Sequence, residues 1–410
     1  MPPQTTSQPT ILFAGGGTGG HIFPNLAIWE RLAAMHAPLR PHFLLSNRSL
    51  DRDILVKTDL AFTPLNVKPW SSKPWHWPAF VAALLQSKKQ VQAIIDRENV
   101  KAIVITGGFV SGPAAMAAKA KRIPLALVNL DAVPGKANRQ MAAKAVALGH
   151  VFSAYDSPLL PGATRIGLPL RISALEGGSS EFRVPSSELS NTASPPSSDA
   201  LPFNSKLETP NSELSASSSR SALGLDPNRY TLMITGGSQG AESVNLAVLE
   251  LLRHREVLAA MKHWQILHIT GPSKDRDLSA AYAALGLPAK VIAFCDTMGH
   301  AWSAATLAIS RSGAGSVAEA WAHATPTIFL PYPFHKDDHQ RLNAGPIVAA
   351  GGAILLKDLI DPKLNASQLA APILELVCDE KKREAMVSRL LQTRPVDGAQ
   401  QVARWVMEQL

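Results

Sequence analysis

The stretch Ile11-Leu-Phe-Ala-Gly15-Gly-Gly-Thr-Gly-Gly20-His21 decides the fold. Ile11 to Ala14 is a short apolar run of strand character. A glycine turn follows, and Leu26, Ile28 and Leu32 then recur at helical spacing. A strand that passes through a glycine turn into a helix presents bare backbone N–H groups to an anion. Glycine permits positive φ and close approach, and the helix N-terminus adds partial positive charge. His21 falls on the first helical turn, so its imidazole is expected to face whatever the loop holds. Pro24 is expected in that same turn, where N–H groups have no helical partner. Alone, the turn fits a dinucleotide fingerprint, a sugar-nucleotide loop or tight packing. It is not a Walker loop, because no Lys-Ser/Thr follows the last glycine. It fits the dinucleotide pattern poorly: no acidic residue stands near 35 to 40, and Asp51 and Asp53 lie too far along.

Outward from this turn, apolar strand-like runs alternate with helical patterns. Strands are expected at 11–14, 41–45, 102–106, 125–128 and 146–151, with Gly107-Gly-Phe-Val-Ser-Gly112 closing the third. Such alternation implies a parallel sheet with right-handed crossovers and a ligand site beyond the strands' carboxyl ends. Residues 164–171 read as a hinge. From 173 to 220 the chain is about one third serine with few large apolar residues, which cannot offset its ordering entropy, so a disordered insertion is expected. The same grammar then resumes: strand Tyr230–Thr235, glycine turn Gly236-Gly-Ser-Gln-Gly240, helix 244–252, and further strands at 265–270, 290–294, 306–309 and 326–330, with helices between. Residues 367–410 carry helical apolar stripes. The expected fold class is α/β, with two Rossmann-like domains facing across a cleft. The expected divisions are 1–165, the insertion 173–220, a second domain at 221–390 and a C-terminal helix, 391–410, returning to the first domain.

At 410 residues two cores are the default. The net charge of +8 favours acidic partners such as nucleotide phosphates, anionic lipid or nucleic acid. Only Cys295 and Cys378 occur, so no disulfide framework is implied. The first ten residues lack a basic region followed by an apolar run, and no stretch approaches 18 apolar residues. Trp70, Trp75, Trp77 and Phe80 nevertheless stand beside Val81, Leu84 and Leu85 among Lys68, Lys73, Lys88 and Lys89. Aromatics and lysines around a short apolar helix suit a membrane interface, each basic residue adding about 1 kcal/mol near an anionic surface. The other reading has the tryptophans filling the first core.

Gly16-Gly-Thr-Gly-Gly-His21, Gly107-Gly-Phe-Val-Ser-Gly-Pro113, Gly236-Gly-Ser-Gln-Gly-Ala241, Ser310-Arg-Ser-Gly-Ala314 with Glu319, and the block Pro331…His335-Lys-Asp…Gln340…Asn343-Ala344 together resemble the MurG family. These are membrane-associated N-acetylglucosaminyltransferases of peptidoglycan synthesis with the GT-B fold. The likeness covers nearly everything except residues 1–9 and the insertion. It implies transfer of N-acetylglucosamine from UDP-N-acetylglucosamine to the C4 hydroxyl of the muramyl sugar of lipid I, with inversion, giving lipid II and UDP. It implies no cofactor, no metal, no nucleic-acid partner, and a peripheral place on the cytoplasmic face of the inner membrane.

The resemblance also assigns residues. Thr18, Gly19, Gly20, Ser238, Gln239, Ala314, Gly315 and Ser316 fall to the donor, with Arg171 near its diphosphate and Glu319 on the ribose hydroxyls. The backbone of Cys295 would read the uracil edge, and His339 and Gln340 would hold sugar hydroxyls. Gly16, Gly17, Gly107, Gly108 and Ser111 suit the acceptor diphosphate. His21 either takes the acceptor proton or only hydrogen-bonds the loop or the lipid phosphate. One departure matters: where the family usually reads Glu-Gln-Asn, this chain reads Asn129-Leu130-Asp131. Asp131 is expected to substitute, as the base or by gripping the donor sugar. Leu168 also replaces the usual hinge asparagine. Three readings remain open: the lipid I transferase, a same-fold UDP-sugar enzyme with another acceptor, or a non-catalytic sugar-nucleotide binder.

Overall fold

The computed structural model describes residues 8–16, 19–35, 37–68, 73–176, 212–237, 240–272 and 275–410. The first lobe contains β1 (Thr10–Gly15), α1 (Gly19–Ala34), β2 (Arg40–Ser46), α2 (Ser49–Val56), β3 (Ala61–Leu65), α3 (Trp77–Arg97), β4 (Val100–Gly107), α4 (Ser111–Lys121), β5 (Leu125–Asn129), α5 (Lys136–Leu148), β6 (Gly149–Ser153) and β7 (Thr164–Arg165). Two short helices follow, α6 (Ile172–Leu175) and α7 (Ser212–Ala222). The second lobe contains β8 (Tyr230–Thr235), α8 (Glu242–Leu252), α9 (Arg255–Ala260), β9 (Trp264–Ile269), α10 (Asp275–Ala284), β10 (Ala289–Ile292), α11 (Met298–Ala304), β11 (Leu307–Ser310), α12 (Ala314–Ala322), β12 (Thr327–Phe329), α13 (His339–Ala349) and β13 (Ala353–Leu355). The chain ends with α14 (Pro362–Cys378), α15 (Glu380–Gln392) and α16 (Gly398–Met407).

Each lobe is one parallel sheet. The orders are β3-β2-β1-β4-β5-β6-β7 and β10-β9-β8-β11-β12-β13, so the strand order reverses beside β1 and beside β8. A cleft opens at such a reversal, beyond the strands' carboxyl ends. β1 is buried along its whole length. Ile11 and Phe13 pack on one face with α1, and Leu12 and Ala14 on the other with α4. Burial on both faces explains why these strands read as continuous apolar runs instead of alternating ones.

The chain crosses between lobes twice, at 166–176 and at 393–398. α16 returns to the first lobe and lays Ala399, Val402, Ala403 and Val406 into its core against α1. The three closing helices are each capped by an aspartate: Asp361, Asp379 and Asp397 accept from the first free N–H groups of α14, α15 and α16.

Several expectations need correction. Residues 146–148 belong to α5, which runs on to Gly149 because Met141 and Ala145 bury its inner face; the strand is 149–153. The sequence reading omitted β3, a sheet-edge strand that tolerates Pro64, and β13, and took β7 for part of the hinge. Pro24 lies in the second turn of α1, not the first. The insertion does not reach 220. Residues 172–175 and 212–222 are helical, and the core of the segment, 177–211, lies outside the described residues.

α7 is helical despite its serines because its end is tied to the second lobe. Arg220 donates to the carbonyls of Ala304 and Pro227 and to Thr306 Oγ1, each at 3.1 Å. Ser219, buried, lies 3.1 Å from His300 Nδ1. Arg220→Ala should therefore cost about 2 to 3 kcal/mol, seen as a lower melting temperature. A deletion of 178–209 should keep the wild-type value, and one extended to 219 should not; calorimetry of the three variants checks both statements.

Candidate active site

Two glycine turns of the first lobe meet under His21. Gly108 has φ of +76°, and a Cβ there would collide with the carbonyl of Gly16, so glycine is required where the turns touch. Thr106, at the end of β4, ties the turns to α1. Its hydroxyl donates to the His21 carbonyl at 2.8 Å and accepts from Asn25 Nδ2 at 3.2 Å, while its own carbonyl lies 3.1 Å from His21 Nδ1. A carbonyl only accepts, so Nδ1 carries the proton and Nε2 is left with a lone pair. Burial holds the imidazole below its ordinary pKa, opposed by the carboxylates of Asp131 and Asp51. His21 is thus a neutral imidazole of fixed tautomer with two carboxylates near enough to favour the imidazolium. Asp51 was missed as a site residue. It is fully buried at the start of α2, accepts from Ser46 at 2.5 Å and lies against Gly16.

Ser111, expected at the acceptor diphosphate, turns inward. Its hydroxyl donates to the Gly107 carbonyl at 2.8 Å and accepts the Gly107 N–H at 3.1 Å, so it shapes the turn. Asn129 is also engaged. It donates to the Asp131 carbonyl at 2.8 Å and Ser153 Oγ at 3.0 Å, and accepts from Asn138 at 3.2 Å. Two residues on, Asp131 is half-buried and faces the second lobe.

In the second lobe, Ala314, Gly315 and Ser316 open α12, and a Cβ at Gly313 or Gly315 would meet only open space. Glu319 lies one turn further in, half-buried. Its Oε2 accepts from Trp302 Nε1 at 2.8 Å, and burial pushes its pKa up to about 7. Cys295 is buried, with its sulfur 3.8 Å from Thr297 Oγ1. Gln340 accepts the Tyr332 N–H at 2.9 Å, and His339 Nδ1 lies 2.8 Å from Asp337 Oδ1. Both thereby stiffen the loop leading into α13. Arg171, expected on the donor diphosphate, is instead engaged at the hinge. Its Nε donates to Glu30 Oε1 at 2.7 Å while Glu30 Oε2 accepts the Ile172 N–H at 2.7 Å. Thr18, Gly17, Ser238 and Gln239 lie outside the described residues, as does Trp70. Gly19 and Gly20 open α1.

Trp75 and Trp77 do not fill the core. Trp75 is 71% exposed and Trp77 47%, with Val81 and Leu85 exposed beside them on α3 and Phe80 half-buried. Lys73 Nζ sits 5.8 Å from the Trp75 ring centroid, Lys89 is exposed and Lys88 half-buried. No helix among the described residues is long and apolar enough to cross a membrane.

Two nucleotide-fold lobes, each a parallel sheet whose strand order reverses beside its first strand, define the GT-B fold. Residues 11–148 match the glycosyltransferase family 28 N-terminal domain and 231–402 its C-terminal domain. A Nocardioides protein is 31% identical over 97% of each chain, and one from Frankia casuarinae is 32% identical over 89% of this chain and 87% of its own. Both are named UDP-N-acetylglucosamine–N-acetylmuramyl-(pentapeptide) pyrophosphoryl-undecaprenol N-acetylglucosamine transferase. The crystal structure of Acinetobacter baumannii MurG superposes with a TM-score of 0.68 at 18% identity, over 98% of this chain and 99% of that one. The chain belongs to this MurG family and is a hexosyltransferase of peptidoglycan synthesis.

Glu319 generates a pH prediction. Its folded pKa of about 7 exceeds the unfolded value, so the native state holds the extra proton between the two and stability falls as pH rises through that window. Above it, Glu319→Gln should be more stable than wild type by on the order of 2 kcal/mol, because the amide still accepts from Trp302 without a buried charge. UDP affinity should change the opposite way: it should strengthen as pH rises through about 7 in the wild type, where the carboxylate becomes a full acceptor, and stay flat in the variant. Calorimetric titration with UDP at several pH values checks this.

Proposed function

We propose that this chain moves N-acetylglucosamine from UDP-N-acetylglucosamine to the C4 hydroxyl of lipid I, with His21 as general base. The observation that supports the reading is the imidazole itself: held below its ordinary pKa, its Nδ1–H spent on the Thr106 carbonyl, its Nε2 without a hydrogen-bond partner among the described residues, and the Asp131 carboxylate near enough for its charge to bear on the ring. The acceptor oxygen attacks the anomeric carbon, the bond from that carbon to the diphosphate oxygen breaks, and the hydroxyl proton passes to Nε2. One base opposite the leaving group suffices for inversion, and no covalent intermediate is needed. The Asp131 and Asp51 carboxylates stabilise the imidazolium that forms. The first turns of α12 and of α8 offer N–H groups to the departing UDP, and Glu319 receives the ribose.

A prenyl-anchored acceptor has to be met at a bilayer. The exposed Trp75, Trp77, Val81 and Leu85, bordered by Lys73 and Lys89, support peripheral docking through the start of α3, with the lysines against anionic headgroups. The orientation that follows puts the first lobe on the membrane, at its cytoplasmic face, and leaves the second lobe free to exchange nucleotide.

Turnover of UDP-N-acetylglucosamine with a short-chain lipid I analogue tests the reaction; UDP binding without transfer would leave a sugar-nucleotide binder instead. His21→Ala should lower kcat about a hundredfold with UDP affinity unchanged. Retained turnover would transfer the role to Asp131. Trp75→Ala/Trp77→Ala should weaken binding to phosphatidylglycerol vesicles about tenfold or more in a sedimentation assay, and leave turnover of a water-soluble acceptor intact.

A further inference from the structure

Asn343 is the fifth residue of α13 and is fully buried, yet its side chain leaves its own lobe. Asn343 Oδ1 accepts the backbone N–H of Ala132 at 2.8 Å, and Nδ2 donates to Asp131 Oδ1 at 3.0 Å. The same Nδ2 lies 3.4 Å from the carbonyl of Ser312, in the turn that opens α12. The orientation of the amide is fixed by its partners: an N–H can only donate and a carboxylate only accept. One side chain therefore touches the donor turn of the second lobe and, across the cleft, the β5–α5 loop of the first.

We infer that Asn343 is a positioning residue that latches the two lobes and sets the Asp131 carboxylate at the reaction site. The inference rests on the reading of His21 and Asp131 given above. Three features carry it. Both polar atoms of the amide bond across the lobe boundary, so separation of the lobes breaks two hydrogen bonds together and leaves Nδ2 only its longer contact with the Ser312 carbonyl. The bond to Asp131 occupies Oδ1 and leaves Oδ2 for other partners at the site. The contact with Ser312 makes the latch sensitive to the donor turn, so occupancy of that turn and the placing of Asp131 are linked through one group. Asp131 also lies near enough to His21, Tyr155 and His335 for its charge to bear on all three. A carboxylate among groups from both lobes needs a fixed direction, and the amide supplies it.

The test exploits charge. Asn343→Asp puts two carboxylates at hydrogen-bond distance, whereas Asp131→Asn/Asn343→Asp restores complementarity with the charge moved to the other lobe. In the reversed pair, the amide at position 131 donates to the carboxylate at position 343, and Ala132 N–H still finds an acceptor. With Asp131 retained, Asn343→Asp should lower kcat about thirtyfold or more. In a chain that already carries Asp131→Asn, the same change should cost less than about threefold. Equal losses in the two settings would mean that Asn343 only supports its own helix, and the latch would be overturned.

A second arm needs no turnover. Spin labels on the exposed Cys378 of the second lobe and on Lys119→Cys of the first report the distance between lobes. Asn343→Asp should broaden and lengthen that distribution, and the reversed pair should restore it. A distribution identical in all three proteins would sink the latch. If the wild type failed to transfer sugar while the distances behaved as stated, the base assignment would fall and the latch would stand.

Discussion

The arrangement of the two lobes depends on one buried guanidinium. Arg31, 1% exposed near the end of α1, donates to Asp397 Oδ2 at 2.7 Å and to the Leu170 carbonyl at 3.3 Å. Leu170 lies on the first crossing between lobes and Asp397 on the second, so one side chain holds both. Its neighbour Glu30 grips Arg171 and Ile172 on the first crossing. Gly167 and Gly398 complete the junction, where a side chain at either would strike the opposing backbone. A buried charge with paired partners costs little net, but removing one partner strands the rest. The same helix that anchors the hinge carries His21 in its first turn, ten residues before Arg31 or about 15 Å away. One helix therefore carries both the anchor of the hinge and the imidazole.

Burial does similar electrostatic work on the two sides of the cleft. It lowers the pKa of His21 and raises that of Glu319, so each is pushed toward its neutral form. A neutral imidazole is what a base requires before it acts. A carboxylate poised at about 7 is costly when empty and is relieved when hydroxyl donors arrive. On the proposed reading, the first group is ready without substrate, while the second gains most from its ligand. The asymmetry agrees with a sugar nucleotide that organises its own lobe and an acceptor that meets a site already built.

Much of the fold was legible because parallel strands buried on both faces give apolar runs, and glycine turns mark where they end. β1, β4 and β8 follow that rule, and β5 shows the apolar run without the glycine turn. β3 and β7 do not: at the sheet's edge neither is packed on both faces, and β3 even contains Pro64. The ends of the Ser-rich segment were illegible for another reason. Composition argues against order, and α7 is ordered by long-range partners, Ala304, Thr306 and His300, that no local window contains. At the site, the sequence brought out His21, Glu319 and Asp131 through their neighbouring motifs. Asp51 and the cross-lobe role of Asn343 were hidden, because their partners lie far along the chain. Arg171 and Ser111 were assigned to ligands by the resemblance, and local sequence does not show their partners within the chain. Glu30 and Gly107 already hold them.

The exchange at 129 and 131 has a physical reason in this chain. Residue 129 must donate twice, to the Asp131 carbonyl and to Ser153, in a pocket where it is 1% exposed. An amide can do so and a carboxylate cannot. The glutamate that the resemblance implies there would need a differently polarised floor, because Ser153 Oγ already donates to the Tyr155 carbonyl. With the floor built around an amide, a negative charge for the site has to come from elsewhere on the same loop. Residue 131 is half-buried, faces His21 and is met by a donating amide from the other lobe. The carboxylate at 131 stands toward the cleft, where its desolvation is offset by the Asn343 amide of the other lobe.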